Sequence, residues 1–181
     1  DGTIPFSRGL PISTFCISVL RGNEPLVAVI HDPFMNRTWS AVKGNGAVLS
    51  GGGGVYLLKT STHAELYRSN VSLIWWAKAD YNLSLVAEKL MDETVLWGNY
   101  LSVAIMGGLI ASGEYDASVF PGRRSLETPT MQLIVEEAGG RATDIHGNAL
   151  VYGPKGETDG HIISNGLIHD RLVEIVHLCR P

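Results

Sequence analysis

Alternating apolar and polar side chains dominate the first forty residues. Segments 13–21, 26–31 and 38–42 are rich in β-branched and aromatic residues, and Gly22-Asn23 between the first two has the chemistry of a hairpin turn. An antiparallel meander is therefore predicted at the start. Segment 71–76 reads as a further strand, followed by a helix over 81–91 in which Leu83, Val86 and Leu90 fall on one face. Over 100–112 the residues are apolar nearly all round and stop at Gly113, the pattern of a helix buried between layers. Thr128 can cap a helix whose first position suits Pro129 and whose C-terminal end suits Gly139-Gly140. A strand over 161–164 and a helix over 169–178 close the chain. The order predicts a mixed α/β fold in which a helix pair lies between two sheets. Gly51 to Gly54 reads as a flexible loop, because the Lys-Ser/Thr and the strand-to-helix context of a nucleotide-binding loop are missing.

Composition narrows the class. With 45% hydrophobic and 18% charged side chains, 181 residues can bury one core, so a single domain over 1–181 is the expectation. A net charge of −4, with no basic run longer than Arg123-Arg124, argues against a nucleic-acid polymer as partner. No apolar stretch approaches the ~20 residues that span a bilayer. Two cysteines, Cys16 and Cys179, are too few for a disulfide framework and fit the cytoplasm.

Candidate chemistry lies at two places. Asp1-Gly2-Thr3 joins a carboxylate for a hard cation, a glycine that lets backbone N–H groups approach an anion, and a hydroxyl that orients water. Glu127 projects from the N-terminal end of the helix that follows it, where the helix dipole favours a carboxylate and hence a metal ligand. Arg123 and Arg124, in the loop leading to Glu127, have the forked geometry that reads phosphate, or else sit on a solvated loop. Phe120 offers a ring for stacking or for the core. The six histidines are scattered and form no ligand set.

With these residues in order, the chain resembles the inositol monophosphatase family of magnesium-dependent, lithium-sensitive sugar phosphatases. Asp1-Gly2-Thr3, Phe6 and Gly9-Leu10-Pro11 match its first signature, and Ala28-Val29-Ile30-His31-Asp32-Pro33 its Gly-Val-Val-aromatic-Asp-Pro stretch. Ala41-Val42-Lys43-Gly44-Asn45-Gly46-Ala47, Ala111-Ser112-Gly113-Glu114-Tyr115-Asp116-Ala117 and Glu137-Ala138-Gly139-Gly140 follow in the family's order.

The resemblance implies an αβαβα sandwich whose N-terminal layer is incomplete, the C-terminal two-thirds of such a fold, with Mg²⁺ as cofactor. It implies a phosphomonoesterase acting on a small sugar, polyol or nucleotide phosphate, and a homodimer is compatible with it. Asp1 and Glu127 would share an ion, Gly2 and Thr3 would hold phosphate oxygens, Asp1 and Thr3 would serve catalysis, and Ser102 and Val103 would face the substrate with Phe120, Arg123 and Arg124. The family's Glu-Glu pair and the first Asp of its signature have no counterpart, so the resemblance implies an N-terminally truncated chain with half of the metal site. Glu127 stands where the family has Asp, adding a methylene and about 1.5 Å of reach. Phe120 stands where an acidic residue holds an inositol hydroxyl, which argues against myo-inositol phosphate. The same departures allow an alternative, a non-catalytic protein that keeps the fold for binding or regulation.

Overall fold

Residues 1–94, 98, 102–123 and 125–179 are described by a computed structural model. The expected meander is present and longer than the hydrophobic pattern announces. Strands β1 (Phe15–Arg21), β2 (Glu24–Asp32), β3 (Arg37–Val42), β4 (Ala47–Gly51) and β5 (Gly54–Leu57) lie side by side in chain order, each pair antiparallel. Gly51 to Gly54, expected to be a flexible loop, is instead the turn of the β4–β5 hairpin. Gly51 pairs with Gly54, and Gly52 and Gly53 take φ of 59° and 86°, the left-handed conformations that a two-residue turn needs to match strand twist.

The second sheet runs in the order β6 (Val71–Leu73), β7 (Ala117–Phe120), β9 (His161–Ser164), β8 (Arg141–Thr143), with β6 and β7 parallel and the other pairs antiparallel. The strand expected over 71–76 ends early because β7 ends at Phe120. Ile74 donates to Val119 at 3.1 Å, and Trp75 and Trp76 turn out of the sheet.

Helices α3 (Val103–Ala111) and α4 (Thr128–Glu137) fill the space between the sheets, as the all-round apolar pattern predicted for α3, which is buried along its whole length. Two glycines in its middle, normally costly in a helix, permit this approach. A Cβ at Gly107 would lie 2.7 Å from Met131 of α4, and one at Gly108 would lie 2.6 Å from Trp39 of β3. On the far face of the second sheet, Val86 and Leu90 of α2 (Ser84–Met91), with Leu83 just before it, pack with Leu172, Ile175 and Val176 of α5 (His169–Leu178). The α2 helix begins three residues later than expected, because Asn82 Oδ1 takes the Ser84 amide at 2.9 Å and forms a local turn instead.

A short helix absent from the expectations, α1 (Thr3–Ser7), precedes β1. The outer face of the first sheet is apolar and bare among the described residues: Phe15, Ile17 and Val19 of β1, with Val27, Val42 and Val55, are all exposed. The layers are thus sheet, helix pair, sheet, helix pair, and the first helical layer of the expected sandwich is not among the described residues.

Candidate active site

Asp1 sits where three elements meet. Its backbone is fixed to the start of β1 by the amino group donating to Thr14 O at 3.0 Å and the Thr14 amide donating to Asp1 O at 3.2 Å. Its side chain closes the N-terminal end of α3: Oδ1 accepts the Val103 amide at 3.2 Å, and Oδ2 accepts the Ala104 amide at 3.0 Å and the Ser102 hydroxyl. The Thr14 hydroxyl also donates to Oδ2, at 3.3 Å. These are the orphan amides of a helix start, and a carboxylate is the acceptor that its dipole favours. Oδ1 takes a single bond and keeps a lone pair.

Gly2 follows in the left-handed region, with φ of 78°, and is buried. A Cβ there would lie 2.6 Å from Ile12 O and 2.9 Å from Ser13 Cα, so the turn demands glycine for space as well as for backbone angle. Thr3 is exposed and opens α1, whose first internal bond is from the Phe6 amide to Gly2 O at 2.9 Å. The amides of Gly2 and Thr3 precede that bond and have no partner within the helix.

Glu127 is itself the N-cap residue of α4, with φ −78° and ψ −28°, and Thr128 is the first helical residue. The expectation that Thr128 caps is corrected by packing. Its hydroxyl is buried and bonds His161 Nδ1 at 3.0 Å, so it does not fold back onto the helix amides. The half-buried Glu127 carboxylate accepts the Ser125 hydroxyl at 3.1 Å through Oε2.

Cys16 of β1 shares a cavity with Leu126, Pro129 and Thr130, the residues on either side of Glu127 and the start of α4. Burial pushes its thiol pKa up, the charge of Glu127 pushes the same way, and the amino group of Asp1 acts weakly against both. The oxygen-only donors Asp1 Oδ1 and Glu127 suit a hard cation such as Mg²⁺. Among the described residues no three His, Cys, Asp or Glu side chains surround one metal position.

On the substrate side, Ser102 and Val103 lie against Asp1, and the Val103 side chain joins the core. Phe120 is buried, stacked on the His161 ring at 5.1 Å and tilted against Trp76 at 5.5 Å. Arg123 is exposed, yet its guanidinium is engaged: it lies 5.3 Å over the Tyr81 ring, 3.4 Å from the Tyr81 hydroxyl and 3.6 Å from Asp159. Arg124 lies outside the described residues. The histidines form no ligand set among the described residues, but sequence reasoning missed the cluster of Tyr81, His146 and Asp159, in which His146 Nε2 meets Asp159 Oδ2 at 2.7 Å and Tyr81 donates to Oδ1. The three come from separate loops, and no local pattern joins them.

Two of the matched motifs prove to be one device. The Glu137 carboxylate accepts the amides of Gly44 and Gly46 at 2.7 Å each, tying the β3–β4 turn to the end of α4.

The inositol monophosphatase family model matches residues 1–180. The chain belongs to this family. Histidinol-phosphatase of Mycobacterium tuberculosis is 32% identical over 181 residues, 96% of this chain, and fructose-1,6-bisphosphatase/inositol-1-monophosphatase of Thermotoga maritima is 28% identical over 98% of it. The Nus factor SuhB of Escherichia coli is 30% identical over 81% of the chain. The solved structure of a Thermotoga maritima IMPase superposes with a TM-score of 0.82 at 28% identity, covering 98% of this chain and 66% of its own. The chain spans about 65% of the length of the first two relatives. Family and solved structures agree on the mixed α/β fold, and among the described residues no helix is long and apolar enough to cross a membrane.

Proposed function

We propose that the protein hydrolyses the phosphomonoester of a small sugar, polyol, nucleotide or amino alcohol with Mg²⁺ as cofactor. The observation that carries this is the Asp1 carboxylate held at the start of α3, with the amides of Gly2 and Thr3 beside it ahead of the first α1 hydrogen bond. Mg²⁺ when bound would screen the charge of the ester and acidify water. Asp1 Oδ1 and Glu127 would hold the ion, the amides of Gly2 and Thr3 would orient phosphate oxygens, and the Thr3 hydroxyl would position the attacking water. The Asp1 bonds to α3 keep its carboxylate in one rotamer before substrate arrives, which lowers the ordering cost of the reaction. We place the protein in the cytoplasm, able to pair as a homodimer.

One observation favours a second reading, a binding or regulatory protein of the same fold. Asp1 Oδ2 is fully engaged by Thr14, Ser102 and Ala104, and one group of relatives carries the name Nus factor. Calorimetric titration of Mg²⁺ into the full-length protein separates the two. Saturable binding that disappears in Glu127→Gln supports the phosphatase, and a folded protein that binds no Mg²⁺ supports the second reading.

A further inference from the structure

Resting on the phosphatase reading, we propose that the cavity lined by Trp76, Asp80, Gly122 and Arg123 receives the part of the substrate remote from its phosphate, and that this part is a cation bearing a planar ring rather than a second phosphate.

The cavity has a volume of about 360 Å³ and opens beside the loop that leads to Glu127. Its aromatic wall is Trp76, which is 45% exposed while Phe120 behind it is buried. The stacking role that the sequence offered to Phe120 thus passes to Trp76, because the Phe120 ring is buried against His161 and Trp76. Gly122 keeps the wall close: a Cβ there would lie 2.5 Å from the Phe120 ring and 3.0 Å from Trp76. An exposed indole face attracts a cation or a flat ring.

Charge points the same way. Asp80 stands at the cavity, with Oδ2 accepting the Arg123 amide at 2.8 Å. The Arg123 guanidinium, the group that would read a second phosphate, is held over Tyr81 and against Asp159. The Asp159 carboxylate thus faces the guanidinium while Asp80 holds the backbone amide of the same residue, with His146 bonded to the second oxygen of Asp159. A phosphate entering here meets the Asp80 carboxylate and an arginine already committed, whereas a protonated amine or ring meets an acceptor and an indole.

A chain of packed rings runs from the cavity to the start of α4. Trp76 packs on Phe120, Phe120 on His161, and His161 bonds Thr128, the residue after Glu127. The Arg123 carbonyl accepts the Thr158 amide at 3.0 Å, which fixes the loop carrying Gly122 and Arg123 to the segment before β9.

The test compares histidinol phosphate, fructose-1,6-bisphosphate and inositol-1-phosphate as substrates of the full-length protein, with Asp80→Asn and Trp76→Ala as variants. Histidinol phosphate should have the highest kcat/KM. Asp80→Asn should raise its KM about tenfold, with kcat nearly unchanged and the KM for inositol-1-phosphate unmoved. Preference for the bisphosphate, or an equal KM change for all three substrates, overturns the proposal. If none is turned over with Mg²⁺, the phosphatase reading fails on its own, and quenching of tryptophan fluorescence by histidinol decides the cavity. Quenching that is weakened about tenfold in Asp80→Asn and lost in Trp76→Ala upholds the cation site, and the absence of either effect overturns it.

Discussion

Asp1 Oδ2 accepts the Ala104 amide at 3.0 Å, so a carboxylate expected beside a cation also closes the start of α3. Removing it should weaken the fold as well as any metal site. Loss of a helix cap costs about 1 kcal/mol, which in a chain of this size lowers Tm by about 2–4 °C. Thermal unfolding of Asp1→Ala should show that decrease, whereas Asp1→Asn, which keeps an acceptor oxygen, should show less. An unchanged Tm in Asp1→Ala would mean that the bond to α3 contributes nothing.

Gly2 permits no side chain. A Cβ 2.6 Å from Ile12 O and a φ of 78° together predict that Gly2→Ala destabilises the protein by about 2 kcal/mol or more. Urea unfolding measures this directly. A loss under about 0.5 kcal/mol, the range of ordinary surface substitutions, would contradict the geometry.

The Glu137 clamp on Gly44 and Gly46 joins segments 91 and 93 positions apart. In Glu137→Gln one oxygen becomes an NH₂ donor facing an amide donor, leaving a backbone N–H without its acceptor. The expected cost is about 1–3 kcal/mol. Amide hydrogen exchange at Gly44 and Gly46 should accelerate more than at strand β2, and uniform acceleration would show that the clamp has no local role.

Stability should fall in mild acid because of buried histidines. Burial, aided by Arg141, lowers the His169 pKa to about 4, and burial alone lowers that of His161 to about 3. The unfolded chain binds protons on these rings near pH 6.5, but the folded chain does not. Their contribution is therefore complete above about pH 6.5 and is lost as pH falls toward 4, on the order of 1 kcal/mol per pH unit for each ring. His169→Gln should flatten the pH dependence of the urea midpoint between pH 6.5 and 4.5, and an unaltered slope would show that His169 titrates normally.

Much of this architecture was legible because its signals are local. Period-two alternation located β1 to β3, and the all-round apolar run located α3, where Gly107 and Gly108 then explain the tight packing. The Gly51 to Gly54 hairpin was missed because β4 and β5 are short and their glycines serve a turn as readily as a loop. At the candidate site the residue types were legible and their contacts were not. Asp1 and Ser102 are 101 positions apart, and nothing local in either segment announces that one caps the helix after the other. Thr128 looked like a cap because threonine often is one, but a tertiary partner, His161, took its hydroxyl. Trp76 drew no attention in the sequence, since only the ring of Phe120 beneath it makes its exposed face a wall.

The proposed reading has Asp1 and Glu127 hold Mg²⁺ for phosphate ester hydrolysis. It is tested most directly by phosphate release from histidinol phosphate and inositol-1-phosphate by the full-length protein, with and without Mg²⁺, in wild type and Glu127→Gln. Mg²⁺-dependent release that falls at least about a hundredfold in the variant is the predicted result. Release that is independent of Mg²⁺, or undiminished in Glu127→Gln, would contradict it.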